Sequence, residues 1–529
     1  MSNDFYFKLI LFSLVVIIGL ELLAKRFRLP PAAAQLVGGV CIAFLPGLPS
    51  IEIDPELILV VFLPPLLMDG AYSTVWDEFK SNVSGILLLA IGAVLFTTMI
   101  VGFVCHWLVP SLPWGACFAL GAIVSPPDAI AAKAVLQHLL LPRKVLILLE
   151  GESMLNDATG LVLYRLSIAA TLTGAFSLPN ALGNFAVLGI GGIVVGALVG
   201  YLSIKLLKYL DETYLVIMAS ILPAWICYIL GETIGVSGVI ATVTYGMMLG
   251  WHQHEVISAE ARRRGTAFWQ VLIFILESLV FILIGLSLRG VISRFSNTGN
   301  TLTEYALVVA AIVATVVLTR FIWVFAIDGI AAIGNKILKH RLFKFDWRIS
   351  TIKSWAGMRG VVTLAIALAL PPTFPGRDLI LIASFVVILI TVLVQGGTIG
   401  VLIRYLKIQL HIEHDKRYLT EPQSWAKIES VQYSTVKALA YDKHGNLLHP
   451  RLLEQYGYRA NISDQHKDQP ELPSEVVRTH YDIVLAAIAS GREELLRLHR
   501  LGEMHDEMLH AIERDLDLQE IAANHSRGS

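Results

Sequence analysis

Long apolar runs follow one another from the N-terminus to about residue 405. Each run has about 17–25 residues, the length that an α-helix needs to cross a bilayer. The thirteen runs cover residues 7–24, 31–49, 57–74, 83–109, 114–137, 145–172, 183–208, 212–231, 235–250, 267–289, 303–333, 352–371 and 379–404. The pattern therefore predicts an all-α polytopic membrane protein with about 13 transmembrane helices.

The charges between the runs predict which side of the membrane each loop faces. Basic residues are concentrated in alternate loops, at Lys25, Arg26, Arg28, Lys80, Arg143, Lys144, Lys205, Lys208, Arg262, Arg263, Arg264, Lys336, Lys339, Arg341, Lys344 and Arg348. The positive-inside rule then predicts an N-terminus outside and a cytoplasmic location for everything after residue 404.

The chain becomes polar after residue 410, with prolines at 450, 470 and 473. Spaced apolar residues between about 474 and 520 predict amphipathic helix. We therefore expect two domains: a transmembrane domain of residues 1–405 and a small helical cytoplasmic domain of residues 410–529.

Composition agrees with a membrane protein. Hydrophobic residues make up 55% of the chain and charged residues 16%, against about 25% charged in soluble proteins. The mean hydropathy is +0.66. The net charge of −1 gives no sign of nucleic-acid binding, so membrane lipid and no nucleic acid is the expectation.

Four carboxylates fall inside two neighbouring apolar runs: Asp128, Glu150, Glu152 and Asp157. An ionised carboxylate at the bilayer centre costs at least about 2.5–3.5 kcal/mol, so such groups are retained where they have a partner or a function. These carboxylates are the main indication of a functional site.

The second of these runs places several oxygen donors on one helix face. Glu152 and Asn156 are four residues apart, as are Ser153 and Asp157, so their side chains lie at nearly the same depth. Hydroxyl, amide and carboxylate oxygens suit an alkali cation (Na⁺, K⁺ or Li⁺) or a proton. The lack of convergent His and Cys disfavours a transition metal.

The first run contains a predicted helix break at Pro126 and Pro127, because proline removes backbone donors. Free carbonyls at such a break are tolerated in a membrane where they line a site, and broken helices often bind cations near the midplane. Asp128 is expected at the start of the following half-helix, where the helix dipole favours a negative charge.

A third segment predicts a second break in span twelve. Arg359 lies deep in an apolar run between Gly357 and Gly360, and a buried Arg needs a carboxylate, for which Glu152 and Asp128 are candidates. The broken spans five and twelve occupy matching places, so spans four to six and eleven to thirteen are predicted to be inverted repeats.

Other polar residues inside the runs are less decisive. Asp69 in span three is a possible cavity-lining residue, and a structural hydrogen bond is an equal alternative. Glu277 and Arg320 are predicted to pair with each other. Glu150, near the cytoplasmic end of span six, is a candidate for guarding an entrance.

The motifs resemble those of the monovalent cation/proton antiporter family 1, which contains bacterial NhaP-type proteins and eukaryotic Na⁺/H⁺ exchangers. The resemblance covers about residues 1–405. It rests on Phe62-Leu-Pro-Pro-Leu-Leu-Met-Asp-Gly70, Gly121-Ala-Ile-Val-Ser-Pro-Pro-Asp128, Glu150-Gly-Glu-Ser-Met-Leu-Asn-Asp-Ala158, Glu277-Ser-Leu-Val-Phe-Ile-Leu-Ile-Gly285 and Trp355-Ala-Gly-Met-Arg-Gly360.

The resemblance implies a role for each residue of the site. Asp157 would bind either the cation or the proton, with ligands from Ser153 and from the carbonyl of Pro127. Asn156 and Asp128 would organise the crossing of the two broken helices, and Glu152 would pair with Arg359. Pro127 stands where family members usually have Thr, so a hydroxyl at the site is missing.

The resemblance also implies a homodimer in the cell (inner) membrane, with a core domain that moves against an interface domain. The implied activity is electroneutral exchange of Na⁺ or Li⁺ for H⁺, serving pH and sodium homeostasis, with no cofactor. The domain after residue 410 would be regulatory.

Three alternatives compete with this interpretation. K⁺/H⁺ antiport by the same site is the main one. An intramembrane aspartyl protease would use Asp128 and Asp157, but the usual Gly-x-Gly-Asp signature is absent and such an enzyme does not need Arg359. A channel would need pore-lining repeats or a filter sequence, and none is apparent.

Overall fold

In the computed structural model, the regular elements of the described residues are helices. The structure describes residues 3–27, 29–45, 55–128, 142–174, 178–297, 302–337, 346–407, 419–467 without 443 and 445, 474–504 without 502, and 506–528. The chain divides into two units, Met1–His411 and Ile412–Ser529.

The described helices of the first unit correspond in order to the apolar runs. They are α1 (Asn3–Phe27), α2 (Pro31–Ala43), α3 (Pro55–Ser73), α4 (Trp76–Leu87), α5 (Val94–Leu108), α6 (Trp114–Val124), α7 (Arg143–Thr173), α8 (Leu178–Leu207), α9 (Thr213–Ile234), α10 (Gly238–Val256), α11 (Ala259–Asn297), α12 (Leu302–Ile337), α13 (Trp347–Trp355), α14 (Val361–Leu368), α15 (Arg377–Ile390) and α16 (Gly397–Leu406). Short π-helices, Leu88–Ala93 and Thr391–Gly396, join α4 to α5 and α15 to α16.

Six of the described helices are long and apolar enough to cross a membrane. They lie at Trp76–Leu108, Gly183–Leu207, Thr213–Ile234, Ala259–Gly290, Tyr305–Ile333 and Arg377–Leu406. Shorter apolar helices lie at Pro31–Ala43, Ile58–Ser73 and Trp114–Val124. The chain is therefore an all-helical membrane protein, while the total of 13 crossings stays a prediction.

Glycines allow some of these helices to approach closely. A Cβ at Gly196 of α8 would collide with the carbonyl oxygen of Ala241 in α10, and one at Gly285 of α11 would collide with that of Leu36 in α2. Small residues at such contacts are typical of helix packing in membranes. The polar helix α7 packs mainly against α4 and α6, and it also contacts α3, α10 and α13.

The second unit contains two helical hairpins among its described residues. In the first, α17 (Glu421–Leu439) packs on α18 (Pro450–His466), and Arg459 pairs with Glu429 at 3.0 Å. In the second, α19 (Ser474–Arg500) packs on α20 (Asp506–Gly528), and Arg492 pairs with Asp517 at 2.8 Å. Pro450 occupies the first turn of α18, where a missing N–H costs nothing.

Candidate functional site

Helix α7 presents the polar cluster predicted from the sequence. Glu152, Asn156 and Asp157 are buried, and Ser153 is half-buried. The i, i+4 spacing therefore places the four side chains inside the protein rather than toward lipid. α7 lies so close to the end of α6 that a Cβ at Gly160 would collide with the ring of Pro126.

α6 ends at Val124, next to the two prolines, and the chain there bonds to α7. The side-chain amide of Asn156 donates to the carbonyl oxygen of Pro127 at 2.5 Å. Asn156 Oδ1 is also buried, and it receives no hydrogen bond from the described residues. A buried polar atom without a partner is costly, so this oxygen is available to a small donor or cation at the site.

The second interruption separates α13, which ends at Trp355, from α14, which begins at Val361. The backbone N–H of Asp128 donates to the carbonyl oxygen of Met358 at 2.7 Å, so the chain after α6 meets the break between α13 and α14 here. The carboxylate of Asp128 lies against Gly360, the N-cap residue of α14, where only glycine leaves room for it. The partial positive charge of the α14 N-terminus favours this carboxylate.

The predicted position of Asp128 was the start of the half-helix after Pro127. Residues 129–141 lie outside the described residues, so that half-helix is not tested. Within the described residues, the Asp128 carboxylate lies against the N-terminus of α14.

Arg359 has the complementary role at the end of α6. Its Nε donates to the carbonyl oxygen of Val124, the last residue of α6, at 2.7 Å, and its Nη1 donates to that of Gly357 at 2.8 Å. Its backbone N–H donates to Thr391 Oγ1 at 3.1 Å. A cation is favoured at a helix C-terminus, so Arg359 stabilises the C-terminal end of α6.

The predicted ion pair between Glu152 and Arg359 is wrong. Glu152 instead pairs with Arg320 of α12 through two parallel hydrogen bonds, of 2.6 and 2.9 Å. Both side chains are almost completely buried, at 2% and 4% exposure. Arg359 instead donates hydrogen bonds to backbone carbonyls, and its interaction with Glu152 is electrostatic rather than a direct contact.

The predicted pair between Glu277 and Arg320 is also wrong, since Arg320 is committed to Glu152. Arg320 Nε additionally donates to the carbonyl oxygen of Lys353 near the end of α13, at 3.2 Å. The side chain passes over Gly357, where a Cβ would collide with it. The signal for this contact was present in the sequence as a second Arg inside an apolar run.

A further ion pair, which is partly buried, was not predicted from the sequence. Lys353 of α13 contacts Asp328 of α12 at 2.6 Å, and Ser350 donates to the same carboxylate at 2.5 Å. Together with the hydrogen bond from Arg320 to the carbonyl of Lys353, these contacts hold α13 against α12 directly before the break.

Asp69 lies on the wall of a cavity of about 760 Å³. Its Oδ1 accepts a hydrogen bond of 3.0 Å from Trp269 Nε1. The cavity wall comes from α3, α9, α10 and α11, and it includes Arg262 and Gln253 but neither Asp157 nor Asp128. Glu150 lines a separate cavity of about 160 Å³ beside Arg143.

The site therefore brings together Asp157, Asn156, Asp128 and the carbonyl of Pro127 where the chain after α6 meets the break between α13 and α14. The carboxylates of Asp157 and Asp128 are close enough to interact electrostatically. Asp128 is held by the N-terminus of α14, whereas Asp157 has no hydrogen bond within the described part of the chain. A buried carboxylate in this situation is suited to bind a proton or a small monovalent cation.

Comparison with known proteins matches most of the first unit. Residues 10–405 match a family model described as sodium/hydrogen exchanger, transmembrane. The sodium, potassium, lithium and rubidium/H⁺ antiporter of Bacillus subtilis (strain 168) is 32% identical over 410 residues, which are 74% of this chain and 61% of the relative. The Na⁺/H⁺ antiporter ApNhaP of Aphanothece halophytica is 31% identical over 392 residues, 73% of this chain and 72% of the relative.

The solved structure of the sodium proton antiporter MjNhaP1 from Methanocaldococcus jannaschii at pH 8 has the same fold. Its TM-score is 0.62 at 22% identity, and the match covers 77% of this chain and 99% of that chain.

Proposed function

Because the chain belongs to the sodium/hydrogen exchanger family, we propose that it exchanges Na⁺ or Li⁺ for H⁺ at Asp157, one ion for one proton. The observation that carries this proposal is the buried carboxylate of Asp157, near the break between α13 and α14, where the charged side chains of Asp128 and Arg359 lie at helix ends. Members of this family are transporters rather than enzymes, so the protease alternative is set aside.

Asp157 is proposed to alternate between two neutral forms. A charged carboxylate in this environment lacks solvation, so it is stabilised by a bound proton or by a bound cation. Ser153 and the carbonyl of Pro127 are the proposed additional cation ligands. Pro127 O already accepts a hydrogen bond from Asn156, and a carbonyl oxygen has a second lone pair that remains available.

Exchange then follows from alternating access. The neutral site crosses the membrane barrier more readily than an empty, charged one, so each crossing carries either a cation or a proton. Because one positive charge replaces another, we propose that transport is electroneutral.

K⁺/H⁺ exchange is the second candidate, and two observations favour keeping it. Pro127 removes the hydroxyl that the usual Thr would supply, and the Bacillus subtilis relative is named for sodium, potassium, lithium and rubidium. Proton flux in everted vesicles, with Na⁺, Li⁺, K⁺ and Rb⁺ added in turn, separates the candidates. Responses to Na⁺ and Li⁺ alone support the first candidate, and an equal response to K⁺ overturns it.

The proposed arrangement in the cell follows the charge pattern. We propose a homodimer in the inner membrane with the N-terminus outside and the second unit in the cytoplasm. Small-residue contacts and apolar exposed faces, such as Val187, Ile190 and Val194 on α8, suit contact with lipid or a second protomer.

Competition between cation and proton gives a testable pH dependence. As the pH falls into the range where Asp157 binds protons, the apparent KM for the cation is expected to rise about tenfold per pH unit, by mass action at one shared site. The maximal rate should change little, since saturating cation displaces the proton. Cation titrations in proteoliposomes at several pH values below neutral measure both quantities.

The contradicting result is a KM that stays constant while the maximal rate falls with pH. That outcome would place the proton at a second group. A rate that depends strongly on membrane potential, imposed with valinomycin and K⁺ gradients during Na⁺ exchange, would contradict electroneutrality.

Deletion of the chain after residue 415 is expected to leave exchange intact and to shift its pH profile. All residues proposed for the site precede α16, and the second unit contributes none of them. Fluorescence-detection chromatography would confirm that the shortened protein is inserted, and flux assays across pH would compare it with the full chain. A well-inserted but inactive truncation would contradict a purely regulatory role.

A further inference from the structure

The two ends of the adjacent helices α9 and α10 differ. At one end, Val216, Ile217 and Ser220 of α9 and Gly250 and Gln253 of α10 line the cavity of about 760 Å³. At the other end, α9 reaches Ile234 and α10 begins at Gly238 after a tight turn through Gly235, whose φ is +83°. The protein is thus open at one end of this helix pair.

A carboxylate is fixed at the opposite end from the cavity. Glu232, in the last turn of α9, accepts the backbone N–H of Gly238 through Oε1 at 3.2 Å. The N-terminus of α10 favours a negative charge at this position. Glu232 Oε2 accepts a second hydrogen bond, of 2.6 Å, from Arg165 Nη2.

Arg165 lies on the helix that carries the site. It is eight residues beyond Asp157 on α7, which is about two helical turns. α7 packs mainly on α4 and α6, α9 packs mainly on α8 and α10, and both helices contact α3 and α10. The ion pair therefore joins the site helix to α9, a helix with which α7 has little other contact, at the end of the α9–α10 pair away from the cavity of about 760 Å³.

We infer that the Arg165–Glu232 ion pair is a latch that closes this end of the transporter and must open for Asp157 to reach that side. The inference rests on the proposed exchange by alternating access, which requires the cavity at one end to close as the other end opens. The proposed topology places the latch on the outer side. Arg165 and Glu232 side chains are 45% and 28% exposed, so the pair contributes little net stability and is easily broken in each cycle.

Cross-linking across the latch tests this inference. Arg165→Cys and Glu232→Cys are combined in a background in which Cys41, Cys105, Cys117 and Cys227 are replaced, and a short bifunctional thiosulfonate is added to the full-length protein in proteoliposomes. Transport is expected to fall to the level of protein-free vesicles on cross-linking and to return on reduction. Each single cysteine variant should be insensitive to the reagent.

A matched control uses an ion pair within one helix. Glu260 and Arg264 of α11 are four residues apart, and Arg264 Nη2 lies 2.6 Å from Glu260 Oε1. Because both residues belong to one helix, cross-linking cysteines at these positions should leave transport unchanged. If the cross-linked Glu260/Arg264 cysteine variant also lost transport, the loss would come from the reagent and not from closing the latch, and the inference would be overturned. Full transport in the cross-linked Arg165/Glu232 pair, verified by mass spectrometry, would also overturn it while leaving the proposed exchange intact.

Charge reversal gives a second measurement that does not depend on the reagent. Arg165→Glu and Glu232→Arg should each impair exchange, and the double reversal should recover it, since the pair is restored with opposite polarity. Single variants that exchange as fast as the parent would overturn the latch. A parent chain without cation-driven proton movement would instead overturn the proposed function, and the latch with it.

Discussion

Substitution of Asp157 by Ala is expected to abolish cation-driven proton movement while the protein still folds and inserts. Asp157 is buried, and it makes no hydrogen bond with the described residues, so its removal leaves none of them without a partner. Truncation of this carboxylate is therefore expected to leave the fold intact. The loss should therefore be one of transport alone, and size-exclusion chromatography together with proteoliposome flux measures the two separately.

Asn156→Ala is the informative control for this prediction. The Asn156 amide bonds to the carbonyl of Pro127, so its loss should lower stability and cation affinity together without removing the titrating group. Asp157→Asn keeps the shape of the side chain and should be as inactive as Asp157→Ala. Robust exchange in either Asp157 variant would remove Asp157 from its proposed role.

The face formed by residues 152–157 could be predicted because it depends on local geometry. Four-residue spacing on a helix is sufficient to bring Ser153 and Asp157 to one side, whatever packs against them. Likewise Pro126, Pro127, Gly357 and Gly360 carry their conformational preferences in the sequence. The described helices end and begin beside these residues, at Val124, Trp355 and Val361.

The partner of Glu152 could not be predicted in the same way. A buried carboxylate requires a cation, but Arg320 and Arg359 both lie in apolar runs, and Arg320 is 168 positions from Glu152. Which of the two arginines pairs with Glu152 depends on how α12 and the break between α13 and α14 pack around α7. Arg359 donates a hydrogen bond to the carbonyl of Val124 at the end of α6. That contact depends on the tertiary structure, so sequence spacing could not predict it.

The same limit applies to Arg165, which lies near the end of an apolar run. Such a residue is usually expected to extend its charge toward the membrane surface. Its contact with Glu232 depends on the turn between α9 and α10, where Gly235 adopts a left-handed conformation and brings Glu232 to the start of α10. Sequence spacing alone does not relate these helices to α7.

Loss of either partner of the Glu152–Arg320 pair is expected to destabilise the protein strongly. Removing one member of a buried pair leaves an uncompensated charge, which costs about 3–5 kcal/mol. Arg320→Ala also releases the carbonyl of Lys353, so it should be the more damaging of the two. Melting in detergent of Glu152→Ala, Arg320→Ala and the double variant measures the effect.

The double variant decides whether the two residues act as a pair. Because Glu152→Ala and Arg320→Ala each strand the other charge, the double variant should be less destabilised than the sum of the single variants. Arg359→Ala serves as the comparison. Its side chain bonds to Val124 and Gly357, so its loss should combine with that of Glu152 more nearly additively. Additive losses for Glu152 and Arg320, with strong coupling of Glu152 to Arg359, would reverse the assignment of the ion pair.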